Sequence, residues 1–333
     1  MEYTNEGDRI IYREELAPRL PKRIFDTHVH IWDKDSFPPD MVNPERCYKD
    51  YTGGTFTMDQ WRDAMHQLLP EQEVWANCFG CPEKDSNRDI VPKVDRIHEF
   101  AMVLVSPVDP AELVQERIER SRAVGLKPYL NYAAEALNKP FGEVEINEML
   151  TPEQLRMMDA KKLAITLHIP RPGRFADKLN QRQMVALCEN YPNITFIFAH
   201  IGRAYFMRNI RESNIEELAK YPNAYFDTAM VNSADVLRYT FDHFPTNRIC
   251  FATDSPVALL RGKSVEINNQ YAYLMGENYS VGTTIIDHEH SVKFTTFFYE
   301  QLRGILDAAP SGAREDILFN NAKNLFTRLA AEK

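Results

Sequence analysis

Two histidines one residue apart, His28 and His30, are the strongest sign of chemistry in this chain. They end an apolar stretch that begins at Ile24. Because side chains alternate between the two faces of a strand, both imidazoles would point the same way and could bind one metal ion. Asp26 would lie on that face as well. A histidine pair of this kind also occurs on ordinary surfaces and in cores, so the interpretation needs support from elsewhere in the chain.

Three later apolar stretches also end in a residue that can bind a metal: His168, His200 and Asp254. Taken singly, each histidine is better explained as a core residue at the end of a strand. Together with the pair near the start of the chain, they predict one site to which four strands contribute.

The elements that must position these residues alternate between short apolar runs and amphipathic segments. Capping residues such as Thr57 and Thr151 mark helix starts, and Asp109 also offers a cap. This alternation predicts an α/β protein, a TIM-type (β/α)8 barrel, with residues 1–333 as one domain and the active site at the C-terminal ends of the strands. The predicted strands cover residues 24–28, 74–78, 100–105, 126–130, 163–168, 194–199, 224–226 and 249–253.

Three segments depart from the alternation. Residues 1–20 form an N-terminal arm, and residues 32–57, rich in Pro, Asp, Tyr and Gly, follow the first strand. Residues 257–286 follow the eighth strand. We expect the two insertions to cap the barrel mouth and to select the substrate, and residues 317–330 to form a final docking helix.

Charge and composition exclude several classes of protein. The 333 residues carry a formal net charge of -9, and no basic stripe suggests nucleic-acid binding. No apolar stretch suits a signal peptide or a membrane span, which predicts a cytoplasmic protein that does not bind membranes. Five cysteines without regular spacing fit no disulfide framework. Cys78 and Cys81 have the spacing of a redox pair or of half a zinc knuckle, but two free thiols is the favoured interpretation.

Several short motifs together resemble the amidohydrolase superfamily. Within it they are similar to the amidohydrolase-related branch, which includes aminocarboxymuconate semialdehyde decarboxylase and several lactonases. The resemblance spans nearly the whole chain. Each motif is short, but the order of the motifs and their positions on the strands are specific. The motifs are residues 26–30, His168, residues 198–202, residues 226–228, residues 252–256 and residues 317–326.

The resemblance implies a ligand set and a mechanism. His28, His30, His168 and Asp254 would hold one divalent metal, zinc or else manganese. His200 would be the catalytic histidine that contacts the metal-bound water or the substrate, and Asp254 would accept the proton of that water. Three or four protein ligands still leave a position for water.

A second metal would need a carboxylated lysine at the end of the fourth strand, as in the binuclear members of the superfamily. Lys127 stands near the beginning of the predicted fourth strand, whereas Asn131 and Tyr132 are nearer the mouth. Lys127 therefore looks misplaced for bridging two metals, and we expect one metal.

Three arginines follow the histidine-bearing strands and point to the substrate. Arg171 and Arg174 come directly after His168, and Arg203 follows His200. Guanidinium groups match the two oxygens of a carboxylate, so we expect a small anionic substrate. The alternative is that each arginine is solvated or paired with a nearby acid. Arg203 also replaces the second of two glycines that are usual in the branch.

Three hypotheses for function remain open from the sequence. The first is a metal-dependent hydrolase in which metal-bound water attacks the carbonyl of a carboxylated lactone, ester or amide. The second is a non-oxidative decarboxylase that uses the same residues. The third, a non-catalytic barrel, is disfavoured because every predicted site position is intact.

The second insertion carries two further expectations. His288 and His290 repeat the spacing of the first pair, but Asp287 looks like the cap of a surface helix, in which the two histidines could not share a metal. In the alternative interpretation, the insertion folds over the mouth and one of them meets the substrate. Proteins of this branch often form homodimers, and the tyrosines of the insertion would offer an interface.

Overall fold

The protein folds around a barrel of parallel strands. The computed structural model describes residues 1–37, 54–83, 86–276 and 292–331, with the backbone alone at 283–284, 286–287 and 290–291. Eight strands in these ranges form one sheet in chain order. Their bounds are β1 Arg23–His30, β2 Glu73–Phe79, β3 Glu99–Val105, β4 Gly125–Pro128, β5 Ala164–Leu167, β6 Thr195–Phe198, β7 Ala224–Asp227 and β8 Ile249–Cys250.

The barrel closes between β1 and the segment that follows β8. The Thr27 N–H donates to Phe251 O at 3.0 Å, and the Asp254 N–H donates to His28 O at 2.9 Å. Further along, the His30 N–H donates to Ser255 O at 2.8 Å. Each predicted strand is present, and the TIM (β/α)8 barrel is confirmed. Closure brings Asp254, 224 residues after His30, next to the first strand.

Helices connect the strands and begin largely where the capping residues predict. Thr57 and Thr151 both form capping boxes. Asp109 does not cap its helix, because its carboxylate accepts bonds from Arg88 and Arg117 instead. The helices are α1 Glu6–Ile11, α2 Met58–Leu68, α3 Ala111–Ser121, α4 Leu130–Leu137, α5 Pro152–Lys161, α6 Lys178–Asn190, α7 Met207–Arg211, α8 Ile215–Leu218, α9 Ala234–His243, α10 Phe297–Ala308 and α11 Asn321–Ala331.

The predicted docking helix is present over Asn321–Ala331 and closes the N-terminal end of the barrel. Phe326 of α11 packs against Phe25 and Phe100, with ring centroids 5.1 and 5.7 Å apart. All three side chains are buried, and burial of one such ring contributes about 2 to 3 kcal/mol. This plug leaves the opposite end of the barrel for the site.

Both insertions contain segments whose backbones pair with each other at the barrel mouth. After β1, Trp32 and Phe56 exchange backbone hydrogen bonds of 2.9 and 3.0 Å. The residues of this insertion between 38 and 53 lie outside the described part. After β8, an antiparallel hairpin forms from β9 Gly262–Ile267 and β10 Gln270–Met275, with β11 Thr283–Thr284 pairing parallel to β10.

The helix start predicted at Asp287 was wrong. Residues β12 Ile286–Asp287 pair antiparallel with β13 His290–Ser291. The next helix begins ten residues later, at Phe297, where the Thr296 side chain caps it. Backbone pairing between two extended segments therefore replaces the local helical bonds. His288 and the side chain of His290 lie outside the description.

Buried polar contacts attach the N-terminal arm to the hairpin. Asp8, at 1 % exposure, accepts a 2.6 Å hydrogen bond from Arg261 and a 2.8 Å hydrogen bond from Thr295.

Cys78 and Cys81 are buried free thiols, and burial raises the pKa of Cys81 to about 12. Within the described ranges, no helix combines the length and the apolar composition needed to cross a membrane.

Candidate metal centre

Three predicted ligands meet at the mouth of the barrel. Among the described residues, His28, His30 and Asp254 form a group whose ligand atoms all lie within 4.8 Å of one another. Asp254 Oδ1 is 3.4 Å from Nε2 of each histidine. The histidines are buried, whereas the Asp254 side chain is 19 % exposed. We call these three residues the histidine cluster, and two imidazoles with a carboxylate suit a divalent metal such as zinc.

Partners on other strands fix the orientation of both histidines. His28 Nδ1 lies 2.8 Å from Asp227 Oδ2, and His30 Nδ1 lies 2.9 Å from Gly80 O. Each Nδ1 therefore donates its hydrogen, which leaves a lone pair on each Nε2 atom. Metal-binding histidines typically use this arrangement.

Asp227 is a site residue whose role the sequence did not reveal. Its Oδ1 accepts hydrogen bonds from the backbone N–H of His200 at 2.7 Å and of Ala229 at 3.1 Å, while Oδ2 contacts His28. One buried carboxylate thus ties His28 to the His200 backbone. The available signal was an acid at the end of the seventh apolar strand, a position like that of Asp254.

His200 begins a strained turn after β6. His200, Ile201, Gly202 and Arg203 have φ angles of 58°, 50°, 62° and 60°. A left-handed conformation is costly for a β-branched residue such as Ile201. At Gly202, a Cβ would lie 2.9 Å from the ring of Phe175. The turn is held by Asp227 and by a 2.9 Å bond between His200 Nδ1 and Ala229 O.

His168 lies beside this group but not within it. Its ring centroid is 5.2 Å from that of His200 and 5.9 Å from that of Tyr129. Its Nδ1 is buried and has no hydrogen-bond partner among the described residues. The structure therefore brings together three of the four predicted ligands and places the fourth next to His200, with a free imidazole nitrogen.

The prediction that Lys127 is misplaced was wrong. Lys127 is fully buried, and its Nζ lies 3.2 Å from His28 Nε2. The strand β4 ends at Pro128 and α4 begins at Leu130, so Lys127 is near the end of the strand and not its beginning. The sequence pattern placed this boundary two residues too late. Tyr129 also enters the site, with its hydroxyl 3.0 Å from His30 Nε2.

Electrostatics hold the cluster in a state that can bind a metal. Burial lowers the pKa of His28, His168 and His200, so these imidazoles are neutral at pH 7. Burial raises the pKa of Asp254, but its interactions with His28, His30 and His200, which gain protons at acid pH, outweigh this effect and hold the pKa at about 2. Burial also lowers the pKa of Lys127 to about 8. Neutral imidazoles and an ionised carboxylate are the forms that bind metals.

Asp26 supports the barrel seam beside the cluster. Its carboxylate accepts hydrogen bonds from Thr253 N at 2.9 Å and from Thr253 Oγ1 at 2.5 Å. It also accepts one from the His28 N–H at 3.1 Å. Burial raises the pKa of Asp26 to about 7. These bonds use the lone pairs of Asp26 to join β1 to the segment that carries Asp254.

The three predicted substrate arginines have different surroundings. Arg171 forms a 2.9 Å ion pair with Asp177. Arg203 Nη1 donates to Ile169 O at 2.9 Å, but its buried Nε has no partner among the described residues. Arg174 likewise has a buried Nη1 without such a partner. Two of the three arginines therefore have buried N–H groups without partners in the described part of the chain, whereas Arg171 is already paired.

Comparison with models of protein families identifies the family to which this chain belongs. The family model described as amidohydrolase matches residues 25–328. The chain belongs to the amidohydrolase family. It is an enzyme of the amidohydrolase superfamily, in the amidohydrolase-related branch. Proteins of this superfamily generally bind a divalent metal.

Solved structures share the fold of this amidohydrolase at low sequence identity. Amidohydrolase 2 from Bifidobacterium longum subsp. infantis has a TM-score of 0.54 at 17% identity, covering 92% of this chain and 99% of that one. The 5-carboxyvanillate decarboxylase from Sphingomonas paucimobilis has a TM-score of 0.55 at 12% identity, with 92% and 99% covered. The 4-oxalomesaconate hydratase from Rhodopseudomonas palustris has a TM-score of 0.51 at 15% identity, with 92% and 97% covered. A comparison with curated protein sequences found no match.

Proposed function

We propose that this amidohydrolase is a metal-dependent hydrolase that cleaves a lactone, ester or amide bond in a small carboxylated compound. The observation that carries the proposal is the position of Asp254. Its carboxylate lies 3.4 Å from the Nε2 atoms of two histidines, and it is the member of the histidine cluster that solvent reaches. An ionised carboxylate at this position can accept a proton from an attacking water molecule.

His28, His30, His168 and Asp254 would hold one divalent metal, zinc or manganese. The fit rests on the neutral imidazoles and on the buried His168 Nδ1, which has no partner among the described residues. When bound at such a site, a divalent metal polarises a carbonyl oxygen and lowers the pKa of water.

His200 would orient the water or the substrate. Because its Nδ1 hydrogen is donated to Ala229 O, Nε2 carries a lone pair and can accept a hydrogen bond. Asp227 holds the backbone of this residue in the strained turn, so the ring position is set before substrate binds. The Lys127 ammonium adds positive charge where an oxyanion would develop.

Arg174 and Arg203 would bind the carboxylate of the substrate. Each has a buried N–H group without a partner among the described residues. Leaving such a donor unpaired costs about 1 to 3 kcal/mol, and a bound carboxylate would recover that cost. Arg171 is not part of this proposal because Asp177 already pairs with it.

A second candidate is a non-oxidative decarboxylase that uses the same residues. The observation that favours it is the recurrence of decarboxylases among structures with this fold. They include the 5-carboxyvanillate decarboxylase from Sphingomonas paucimobilis and a 2,6-dihydroxybenzoate decarboxylase from Rhizobium. In that reaction a carboxylate leaves as carbon dioxide, and a proton replaces it on carbon.

Isotope labelling separates the two reactions. Metal-loaded enzyme would be incubated with carboxylated lactones, esters, amides and hydroxybenzoates, once in water enriched in oxygen-18 and once in deuterium oxide. Hydrolysis places oxygen-18 in the product acid and releases no carbon dioxide. Decarboxylation places deuterium on carbon and releases carbon dioxide, and that result would overturn the hydrolase proposal. The Asp254→Asn variant controls for contaminating activity.

A further inference from the structure

The hairpin inserted after β8 supplies an aromatic surface beside the site. Tyr271 on β10 stacks on Tyr205, with ring centroids 4.7 Å apart and planes inclined by 11°. Tyr273 packs edge-on against Tyr271 at 4.9 Å and against Phe297 at 5.2 Å. Burial raises the pKa of Tyr205 and Tyr271, so both are neutral phenols. An insertion thus presents flat aromatic rings and no negative charge.

Arg174 lies against the same stack. Its guanidinium carbon is 5.1 Å from the ring centroids of both Tyr205 and Tyr271, which is the range of a cation–π interaction. The two rings hold the guanidinium while its buried Nη1 has no hydrogen-bond partner among the described residues. The tyrosines therefore position a donor without occupying it.

Tyr205 connects this arrangement to the catalytic residues. Its ring centroid is 5.8 Å from that of His200. Arg203 follows His200 in the same left-handed turn, and its buried Nε also lacks a partner in the described part of the chain. Arg174, Arg203, Tyr205 and Tyr271 form a continuous group, which we call the arginine–tyrosine cluster.

We infer that the arginine–tyrosine cluster is a subsite for a planar, conjugated carboxylate, with Tyr271 of the inserted hairpin as a specificity-determining residue. The inference rests on the proposed function for its anionic substrate, but it adds the shape of that substrate. A flat ring can contact the tyrosine surface while its carboxylate, in or near the same plane, reaches Arg174. A saturated ring of equal charge is thicker and makes a poorer stack.

Equilibrium binding tests the inference without requiring turnover. Isothermal titration of metal-loaded protein would compare benzoate, cyclohexanecarboxylate and benzamide, which separate planarity from charge. We expect benzoate to bind about tenfold more tightly than either of the other probes. Equal affinities for benzoate and cyclohexanecarboxylate would overturn the inference.

Variants locate the binding. Tyr271→Leu keeps an apolar side chain but removes the flat ring, and we expect it to lose most of the preference for benzoate over cyclohexanecarboxylate. Arg174→Met should weaken both carboxylates and leave benzamide unchanged. Tyr239→Leu is the matched control, because Tyr239 stacks on His243 within helix α9 and is not part of the arginine–tyrosine cluster. Unchanged benzoate affinity in Arg174→Met would place the carboxylate elsewhere and overturn the inference.

The titration also separates this inference from the proposed function. Selective benzoate binding without any hydrolysis in the isotope assay would support the subsite and contradict the hydrolase. Hydrolysis of carboxylated lactones with no preference for planar acids would support the hydrolase and contradict the subsite.

Discussion

The histidine cluster and the arginine–tyrosine cluster lie on either side of His200, whose ring packs against His28 and Tyr205, but they are held in opposite ways. In the histidine cluster, the imidazoles of His28 and His30 have fixed partners on β7 and next to β2. In the arginine–tyrosine cluster, two guanidinium groups retain buried donors without partners among the described residues. Strand β1 and the segment that follows β8 supply the first cluster, whereas loops and an inserted hairpin supply the second.

This difference indicates that one cluster serves catalysis and the other serves substrate binding. Strands joined by backbone hydrogen bonds hold groups to within a fraction of an ångström, which catalysis requires. Unpaired donors destabilise the free protein, but they allow a ligand to contribute the missing bonds. We therefore expect changes in the histidine cluster to reduce turnover and changes in the arginine–tyrosine cluster to reduce affinity for the substrate.

The largest effect is expected for Asp254→Asn. The amide cannot accept a proton as the carboxylate does, and it is a poor metal ligand. We expect kcat to fall by about 10²- to 10⁴-fold with a smaller change in KM. Steady-state kinetics and metal content by inductively coupled plasma mass spectrometry would measure both effects. A variant that kept full kcat would contradict a catalytic role for Asp254, which would then have only a structural role.

Metal content tests the ligand set itself. Protein purified without added metal or chelator should carry about one equivalent of zinc or manganese, and His168→Ala should carry less. Two equivalents would make Lys127, 3.2 Å from His28 Nε2, a candidate bridging ligand. No metal in either protein would contradict the metal-dependent mechanism.

A smaller loss of turnover is expected for Asp227→Asn. The amide retains the shape of the side chain but weakens the charge-assisted bond that orients His28. Changes to such orienting residues typically cost about 10- to 100-fold in metal affinity or activity. Competition with a fluorescent chelator would measure affinity. The change should leave the affinity for benzoate unaltered, and a parallel loss of benzoate binding would show that the two clusters are not separate.

Arg174 and Arg171 differ in whether their guanidinium groups are already paired. Arg174→Met should raise KM for the carboxylated substrate about 10- to 100-fold and change kcat little, because a charge-assisted contact contributes about 1.5 to 3 kcal/mol. Arg171→Met is the matched control, since its guanidinium pairs with Asp177. Equal effects of the two substitutions on KM would contradict the assignment of Arg174 as the free donor.

The smallest effect concerns stability and the role of Asp177. Burial raises the pKa of Asp177, but Arg171 and the N–H groups of Leu179 and Asn180 outweigh this effect and lower the pKa below its usual value. The ionised form therefore stabilises the fold above the unfolded pKa of about 3.9, and this stabilisation is lost as pH falls through the folded pKa.

In Asp177→Asn, the free energy of unfolding should be about 0.5 to 1 kcal/mol lower than in the wild type at pH 6, and the gap should narrow at pH 3.5. Urea unfolding at pH 6 and at pH 3.5 would measure this difference in the free energy of unfolding. A gap that widened at low pH would show that the ion pair does not stabilise the loop after β5.

The sequence predicted the barrel because the signal for it is local. Apolar runs of four to eight residues separated by capped helices indicate parallel strands wherever they occur, and each predicted strand is present. His28 and His30 were identifiable because they share a strand, and His200 and Asp254 because each follows one. The fold class and most of the site could therefore be predicted from short stretches of sequence.

The boundaries of elements were less predictable, and two errors followed from them. Lys127 was placed too far from the mouth because nothing in the local pattern showed that β4 ends at Pro128 and α4 begins two residues later. Asp287 looked like a helix cap, but pairing between residues 286–287 and 290–291 gave the backbone other partners. In both cases, contacts with distant or neighbouring segments outweighed local propensity.

The residue types at the strand ends could be predicted from local patterns, because the alternation of strands and helices depends on neighbouring residues. Which of these residues contact one another depends on how the whole chain folds. The tertiary structure joined Asp227 to His28 across the barrel, separated Arg171 from Arg174 by pairing one with Asp177, and brought Tyr271 to Tyr205. Such contacts depend on barrel closure and loop packing between residues far apart in the chain, which no local pattern encodes.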